Sequence, residues 1–464
     1  METHDFLETL GQWSTGTGPL YHRLATAIES AIRAGSLGPD EALPPERALA
    51  AVLGVSRTTI DTAYQELASL GFVASRRGSG TRVTALSSDA RVGGRLFAST
   101  TYTVSQSRSH NVVDFTLGAL RGVPSGIAPD LLEALSASLD ADPAYGPLGI
   151  RDLRESIARR YTLDGVPTSA EQILVTSGGQ QAISLLAALF IEPGQRVAVQ
   201  DSTYFGALDA FRAAGAKMVA LEYADLASLD RVRLAYVMAA VHNPTGTTMS
   251  AAQRHALVQW ARNNRVPIVD DAALADVSLD GSVHRPLIAT HDDPLVITIG
   301  SLSKVAWAAL RIGWIRASRS TIERLARLKA VADLGTTPLA QRLAIALVER
   351  IGELRVLRCA EMTGRVTALS ALLHRELPQW RWDEPTGGFA LWICIEGVDA
   401  EAFAELALEE GVLVTPGSRM AIGRRHHDRI RVTALGDPAH FAAGAAALKR
   451  AANRISQGCA SGLR

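Results

Sequence analysis

Six short apolar runs, "QILVT", "RVAVQ", "LAYVMAA", "VPIVD", "LVITIG" and "RIGWIRA", recur between residues 172 and 317 and alternate with helical stretches. A strand covered on one face alternates apolar with polar residues, whereas one covered on both faces reads as a nearly unbroken apolar run. The pattern predicts a mainly parallel sheet with helices on both sides, an α/β architecture. Ligands of such sheets sit beyond the carboxyl ends of the strands, so the chemistry of this chain is to be sought there.

The chain is 464 residues long, 47% apolar and 20% charged, with as many Lys and Arg as Asp and Glu. Net charge therefore points to neither nucleic acid nor membrane, and such a role must come from local patterning. Cys359, Cys394 and Cys459 are odd in number and far apart, making neither a disulfide framework nor a metal cluster. The start, "METHDFLETL", lacks the basic-then-apolar order of a signal peptide. The longest apolar run, "AISLLAALFI", is too short to span a bilayer. The expectation is a cytoplasmic protein with no membrane partner and no bound metal.

Composition shifts near residue 86. "LSSDARVGGRLFASTTYTVSQSRSHN" is rich in Ser, Thr, Gly and Arg, without helical or alternating period, and reads as a linker. The expected division is a small unit over 1–85, a flexible linker over 86–112 and a large unit over 113–456. In the small unit Leu20, Leu24, Ile28, Ala31 and Ile32 share one helical face, closed by Gly35. "LPPERALAAVLGV" predicts a second helix opening with proline and stopping at Gly54. Ser56 caps a third, with Ile60, Ala63, Tyr64 and Leu67 inward. Two short strands, "FVAS" and "TRVTA", flank the turn "RRGSG". This is the order of a winged helix-turn-helix. Arg57, Thr58 and Thr59 open the third helix, and hydroxyls, a helix N-terminus and arginine are the groups that meet phosphate and guanine.

"LPPERALAAVLGVSRTTIDTAYQELASLGFVASRRGSGTRV" resembles the DNA-binding domain of GntR-family transcription regulators. The resemblance implies that Arg47, Ser56, Arg57, Thr58, Thr59, Arg77 and Gly78 contact a double-stranded DNA operator. Pro45 stands where the family usually has serine, and Asp61 where some members carry arginine.

In the large unit the strand ends carry a series of polar groups. "ILVTSGGQQ" runs from strand through Ser177, Gly178 and Gly179 into a helix whose first amides form an anion site. Tyr204 follows the next strand and offers a ring to stack on a planar ligand. Asn243, in "VHNPTG", can donate to a phenolate-type oxygen. Asp270 and Asp271 end "VPIVDD", and either could hold the proton of a pyridine nitrogen. Then comes Lys304, one of four lysines in a chain where arginine is about ten times more common. A lysine can lose its proton and attack a carbonyl, which arginine effectively cannot. Ser301 and Ser303 precede it, and Arg311 supplies a positive fork suited to phosphate. Any one of these has a bland explanation. Together they describe a pyridoxal 5′-phosphate pocket with Lys304 forming a Schiff base.

The region is similar to fold-type I aminotransferases along its length, which implies a large sheet domain and a smaller C-terminal α+β subdomain. "AYGPLGIRDLR" matches a family segment whose tyrosine, Tyr145, would reach the phosphate of the neighbouring subunit. "DRIRVTALG" matches a late segment whose arginine, Arg431, would grip a substrate carboxylate. The family match favours Asp270 for the pyridine nitrogen. The family usually has a tyrosine two or three positions later, where this chain has Ala272, Ala273 and Leu274.

A GntR-type module joined to an aminotransferase-like domain resembles the MocR subfamily of regulators. That implies a head-to-tail homodimer that binds an operator and senses pyridoxal phosphate or its adduct with an amine or amino acid. Transaminase activity would then be weak or vestigial. A working aminotransferase that also binds DNA is the alternative.

Overall fold

The computed structural model describes residues 3–10, 13–14, 19–33, 37, 41–69, 72–76, 80–84, 112–120, 122–123, 126–137, 145–291, 293–422 and 425–461. Of the expected linker at 86–112 all but residue 112 lies outside what is described, as do Gly35, Arg77, Gly78 and the side chain of Cys459. The chain forms two compact units, Met1–Leu96 and Phe97–Arg464.

The first unit holds helices α1 (Thr3–Leu10), α2 (Leu20–Arg33), α3 (Glu46–Leu53) and α4 (Arg57–Ser69), then an antiparallel pair, β1 (Val73–Arg76) and β2 (Gly80–Val83). Leu24, Ile28, Leu49, Ile60, Ala63 and Leu67 are fully enclosed together with Phe6 of α1, a helix the sequence reading had not anticipated. Leu20 departs from the expected buried face and is 41% exposed. As the first residue of α2 it leans back beyond its own helix end, where no neighbour follows. Gly54 closes α3 in the left-handed region, its N–H donating to the Ala50 carbonyl. Pro45 is the cap of α3, one position earlier than the helix proper. Ser56 caps α4 as its sequence position predicts: its hydroxyl accepts from the Thr59 N–H at 3.1 Å. Glu41–Leu43 runs beside β2, the Leu43 N–H donating to Thr81 and the Val83 N–H to Glu41.

The second unit is built on a seven-stranded sheet of β4 (Ile173–Thr176), β5 (Arg196–Val199), β6 (Lys217–Ala220), β7 (Val232–Val237), β8 (Ile268–Asp271), β9 (Val296–Ser301) and β10 (Gly313–Arg316). Spatial order is β4-β10-β9-β8-β7-β5-β6, and only β10 runs against its neighbours. Successive residues of one strand belong to different cores. Ala235 and Val237 pack with the helices Arg151–Leu163, Ala251–Asn264 and Pro338–Glu349. Leu234 and Tyr236 pack with Gly179–Phe190, Phe205–Ala213 and Arg319–Asp333. The unbroken apolar runs thus have their cause in two-sided burial.

A third core belongs to the C-terminal subdomain. There β11 (Ala390–Cys394), β14 (Arg429–Thr433) and β13 (Thr415–Pro416) pair antiparallel, against the helices Ile351–Glu376, Ala400–Glu409 and Pro438–Ser461. The first described strand of the second unit, β3 (Val113–Asp114), pairs in parallel with β12 (Val412–Leu413). It carries Phe115, fully enclosed, into this core. From β3 the chain therefore leaves the C-terminal subdomain and crosses the strand ends on its way to the large sheet.

Candidate functional site

Where β4 ends, Ser177-Gly178 turns into the Gly179–Phe190 helix, leaving the first amides of that helix without intrahelical partners. Gly178 has φ +90°, and a Cβ there would meet the Arg311 guanidinium at 2.9 Å. Only glycine allows that approach. Arg311 donates through Nη2 to the Ser177 carbonyl at 2.9 Å. Helix amides, a glycine turn and a guanidinium fork therefore lie together at this strand end, an arrangement that can take an anion.

At the end of β5, Tyr204 caps the Phe205–Ala213 helix. Burial, then the Asp271 charge, pushes its phenol up to about 12, against the pull of Arg431 and Arg311. Beyond β7, the Asn243 side-chain oxygen accepts from Arg431 Nη1 at 3.1 Å. Arg431, on β14, is 4% exposed and is no surface arginine. Its Nη2 donates to the Thr116 carbonyl at 2.9 Å, while its buried Nε has no partner. Burial lowers its pKa to about 10, with Tyr204 and Asp114 opposing.

Lys304 lies just past β9 and is partly buried. Its Nζ donates to the Gly118 carbonyl and stands 6.0 Å from the centre of the Phe389 ring. Burial, together with the Arg431 and Arg311 charges, pushes its ammonium down to about 8, against the attraction of Asp271. Ser301 and Ser303 are buried beside it, the Ser301 hydroxyl accepting from the Ser303 N–H at 3.2 Å in the turn that presents the lysine.

The two aspartates of β8 part company. Asp270, the residue favoured from sequence, is turned away from Lys304. Its Oδ1 accepts from the Ala239 N–H at 3.0 Å and its Oδ2 from the Leu287 N–H at 2.6 Å. Asp271 faces the other way. Its Oδ2 accepts from the Tyr236 hydroxyl at 2.7 Å and its Oδ1 from the Ala273 N–H at 3.0 Å. Burial raises both carboxyl pKa values, and Lys304 pulls that of Asp271 back down. Neighbours on a strand face opposite sides, and the lysine is on the side of Asp271. Leu274 is buried three residues on, where an alkyl chain offers no hydrogen-bond donor.

Tyr145 is 70% exposed and lies apart from this cluster. The sequence reading missed Tyr236 behind Asp271 and the Thr116 and Gly118 carbonyls. It also missed a network that joins the buried Lys329 to the half-buried Gln181 and Asp333 behind the cradle. Of these only Lys329 left a signal in the sequence, as another of the four lysines.

In the first unit Arg47, Ser56, Arg57 and Thr58 are exposed and Thr59 is half-buried. Arg57 Nε pairs with Glu46 at 2.9 Å, tying the start of α4 to the start of α3. Among the described residues no group of His, Cys, Asp and Glu has a metal-site arrangement, and no helix is long and apolar enough to cross a membrane.

Comparison with known proteins separates the same two regions. Residues 111–448 match the family model for aminotransferases of class I and II, and residues 20–83 that for bacterial regulatory proteins of the gntR family. The uncharacterized HTH-type transcriptional regulator YdfD of Bacillus subtilis is 27% identical over 449 residues, 89% of this chain and 92% of that one. The HTH-type transcriptional regulator NorG of Staphylococcus aureus is 26% identical over 407 residues, covering 81% and 91%. Among solved structures, an archaeal alanine:glyoxylate aminotransferase superposes with a TM-score of 0.72 at 25% identity, over 80% of this chain and 98% of that one. The α-aminoadipate aminotransferase LysN of Thermus thermophilus, in complex with N-(5′-phosphopyridoxyl)-L-leucine, gives 0.70 at 24% identity over 80% and 100%, a likeness of fold.

Proposed function

Because the chain belongs to the aminotransferase class I and II family and carries a GntR-type module ahead of that domain, as MocR-type regulators do, we propose that it is a transcription regulator whose DNA binding responds to pyridoxal phosphate. Its sensor is the cluster of side chains around Lys304. The observation that carries this reading is an amine pushed down to about 8 beside a glycine-and-arginine cradle. That pairing of a nucleophilic lysine with an anion site suits an aldehyde that bears a phosphate.

The donor set fits the cofactor group by group. The Ser177 hydroxyl and the amides of Gly178 and Gly179, with Arg311, would hold the phosphate, the Ser177 amide itself being taken by Gln181, and Tyr204 would stack on or flank the ring. Asn243 would meet the phenolic oxygen, and Asp271 would keep the pyridine nitrogen protonated. Arg431, whose Nε is buried without a partner, would take the carboxylate of an amino-acid effector. When bound, the cofactor supplies a carbonyl that exchanges between Lys304 and a free amine. The chain's own part is to raise the neutral fraction of the Lys304 amine and to fix the partners around it.

Occupancy has a direct route to the backbone. Lys304 and Arg431 donate to the carbonyls of Gly118 and Thr116, in the stretch that follows the linker. A lysine nitrogen committed to a carbonyl carbon, or an arginine turned to a carboxylate, releases those contacts. Only such differential affinity can shift a DNA-binding population.

DNA would meet the first turn of α4 through Ser56, Arg57, Thr58 and Thr59, with Arg47 at the start of α3. Aminotransferase folds are typically dimeric, and a second copy suits the apolar surface of Tyr145, Val331 and Leu334, which are 70%, 90% and 53% exposed. Tyr145 would then reach the cofactor site of that second copy. The protein would act in the cytoplasm, where its operator lies.

The test is operator binding by the purified chain with and without pyridoxal phosphate, beside Lys304→Ala. The wild type should show visible absorbance, be fixed to the cofactor by borohydride, and change its operator affinity. Lys304→Ala should do none of these. A wild-type chain whose operator affinity ignores the cofactor would leave a plain repressor or activator. Steady turnover across an amino-acid panel would favour a working aminotransferase instead.

A further inference from the structure

Lys329 is fully enclosed on the Arg319–Asp333 helix, in a chain that otherwise uses arginine for nearly every cation. Burying an ammonium is costly unless it is paired and hydrogen-bonded. Its Nζ donates to Asp333 Oδ2 at 2.6 Å and to Gln181 Oε1 at 3.0 Å. Gln181 Nε2 in turn donates to Asp333 Oδ2 at 2.6 Å. The same Gln181 Oε1 accepts from the Ser177 N–H at 2.8 Å. Ser177 is thus held at both ends of its backbone, by Gln181 at the amide and by Arg311 at the carbonyl. Its hydroxyl meets that of Thr336 at 3.3 Å.

The other carboxylate oxygen extends the network outward. Asp333 Oδ1 accepts from the Gly335 N–H at 3.0 Å. Gly335 has φ +139° and lies against Gly146, whose backbone a Cβ would meet at 2.7 Å. The Gly146 N–H donates to the Leu334 carbonyl at 3.2 Å. Gly146 directly follows the exposed Tyr145. The ion pair of an enclosed lysine with a half-buried aspartate therefore braces two places at once, the phosphate cradle and the loop that carries Tyr145.

We propose that Lys329 is a positioning residue for phosphate binding: with Asp333 and Gln181 it fixes Ser177 in the cradle and the Leu334–Gly335 turn beneath Tyr145. Lysine suits the slot because its single nitrogen serves two acceptors at one point, where a planar guanidinium would need a broader space. The ion pair is closed on itself, so the charge left for a phosphate is that of Arg311. The proposal rests on the reading that this cradle takes a phosphorylated cofactor.

The experiment compares affinities for pyridoxal 5′-phosphate and for pyridoxal, which lacks the phosphate. It uses the full chain as wild type, Gln181→Met, Lys329→Met and the charge-balanced double variant Lys329→Met with Asp333→Asn. Circular dichroism and thermal unfolding check the fold of each. In the folded variants the phosphate-bearing ligand should bind about ten-fold more weakly while pyridoxal binds as to the wild type. Gln181→Met keeps the ion pair, so it carries the test should the lysine variants fail to fold. An unchanged ratio of the two affinities overturns the proposal, and so does an equal loss of both, which marks a purely structural role. A wild-type chain that does not distinguish the two ligands overturns the cofactor reading itself and this inference with it.

Discussion

The charge state of Lys304 is the most exposed point of the functional reading. Its amine is lowered from 10.5 to about 8 by burial and by two arginines. At about pH 7.5 such a group is neutral roughly a quarter of the time, against about one part in a thousand for an ordinary lysine. Capture of pyridoxal phosphate by the apo chain should therefore run about two hundred-fold faster than by a solvent-exposed lysine of equal intrinsic reactivity. Its rate, followed by stopped-flow absorbance across pH, should rise through a midpoint near 8. Arg431→Met removes the largest charge contribution and should move the midpoint upward. Asp271→Asn removes the opposing carboxylate and should move it downward. The sign carries over to stability. The folded value lies below the unfolded one, so the unfolded chain holds more protons between the two and stability rises with pH from about 8 to 10.5. The full shift corresponds to about 3 kcal/mol, an upper bound for a group that is only partly buried. A capture midpoint close to 10.5, or one that Arg431→Met leaves in place, would refute the reasoning.

The two aspartates of β8 should respond differently. Asp270→Asn leaves one of two backbone amides facing an NH2 group and should cost about 1–3 kcal/mol in urea unfolding, with cofactor affinity unchanged. Asp271→Asn should lower cofactor affinity and alter its visible spectrum with a smaller effect on unfolding; the reverse outcome would restore Asp270 to the site. Ser56→Ala removes the cap of α4 and should destabilise the first unit by about 1 kcal/mol in a thermal melt. Arg57→Ala should weaken operator binding by about 1–3 kcal/mol if the residue reads a base, whereas equal loss on every DNA sequence would mark a phosphate contact. Leu334→Asp places a charge in the exposed apolar surface beside Tyr145 and, with that surface seating a second copy as proposed, should leave the chain monomeric in light scattering where the wild type is dimeric.

Much of this molecule is decided locally and can be read from the chain. Ser56 caps a helix because its hydroxyl reaches an N–H three residues on, and Gly54 ends one because it tolerates a left-handed backbone. Ser177-Gly178-Gly179 and Lys304 follow strands because apolar runs end there, and they converge because parallel strands bring their carboxyl ends to one edge. Residues far apart in sequence escape such reading. Nothing between residues 113 and 118 announces that Phe115 enters the C-terminal core or that Thr116 and Gly118 meet Arg431 and Lys304. Gln181, Lys329 and Asp333 span 152 positions, and only the packing of two helices behind the cradle unites them.

Asp270 and Asp271 mark the dividing line most sharply. Two adjacent carboxylates at a strand end are chemically alike on paper, and their order says nothing about which face is which. The alternation of side chains across a pleated strand makes one of them a structural anchor for two backbone amides and the other a neighbour of the lysine. Composition, spacing and capping residues determined which groups this chain possesses and at which strand ends they stand. Tertiary packing alone decided which of them share a face, because facing is a property of the assembled sheet and its cover, not of the order of residues along it.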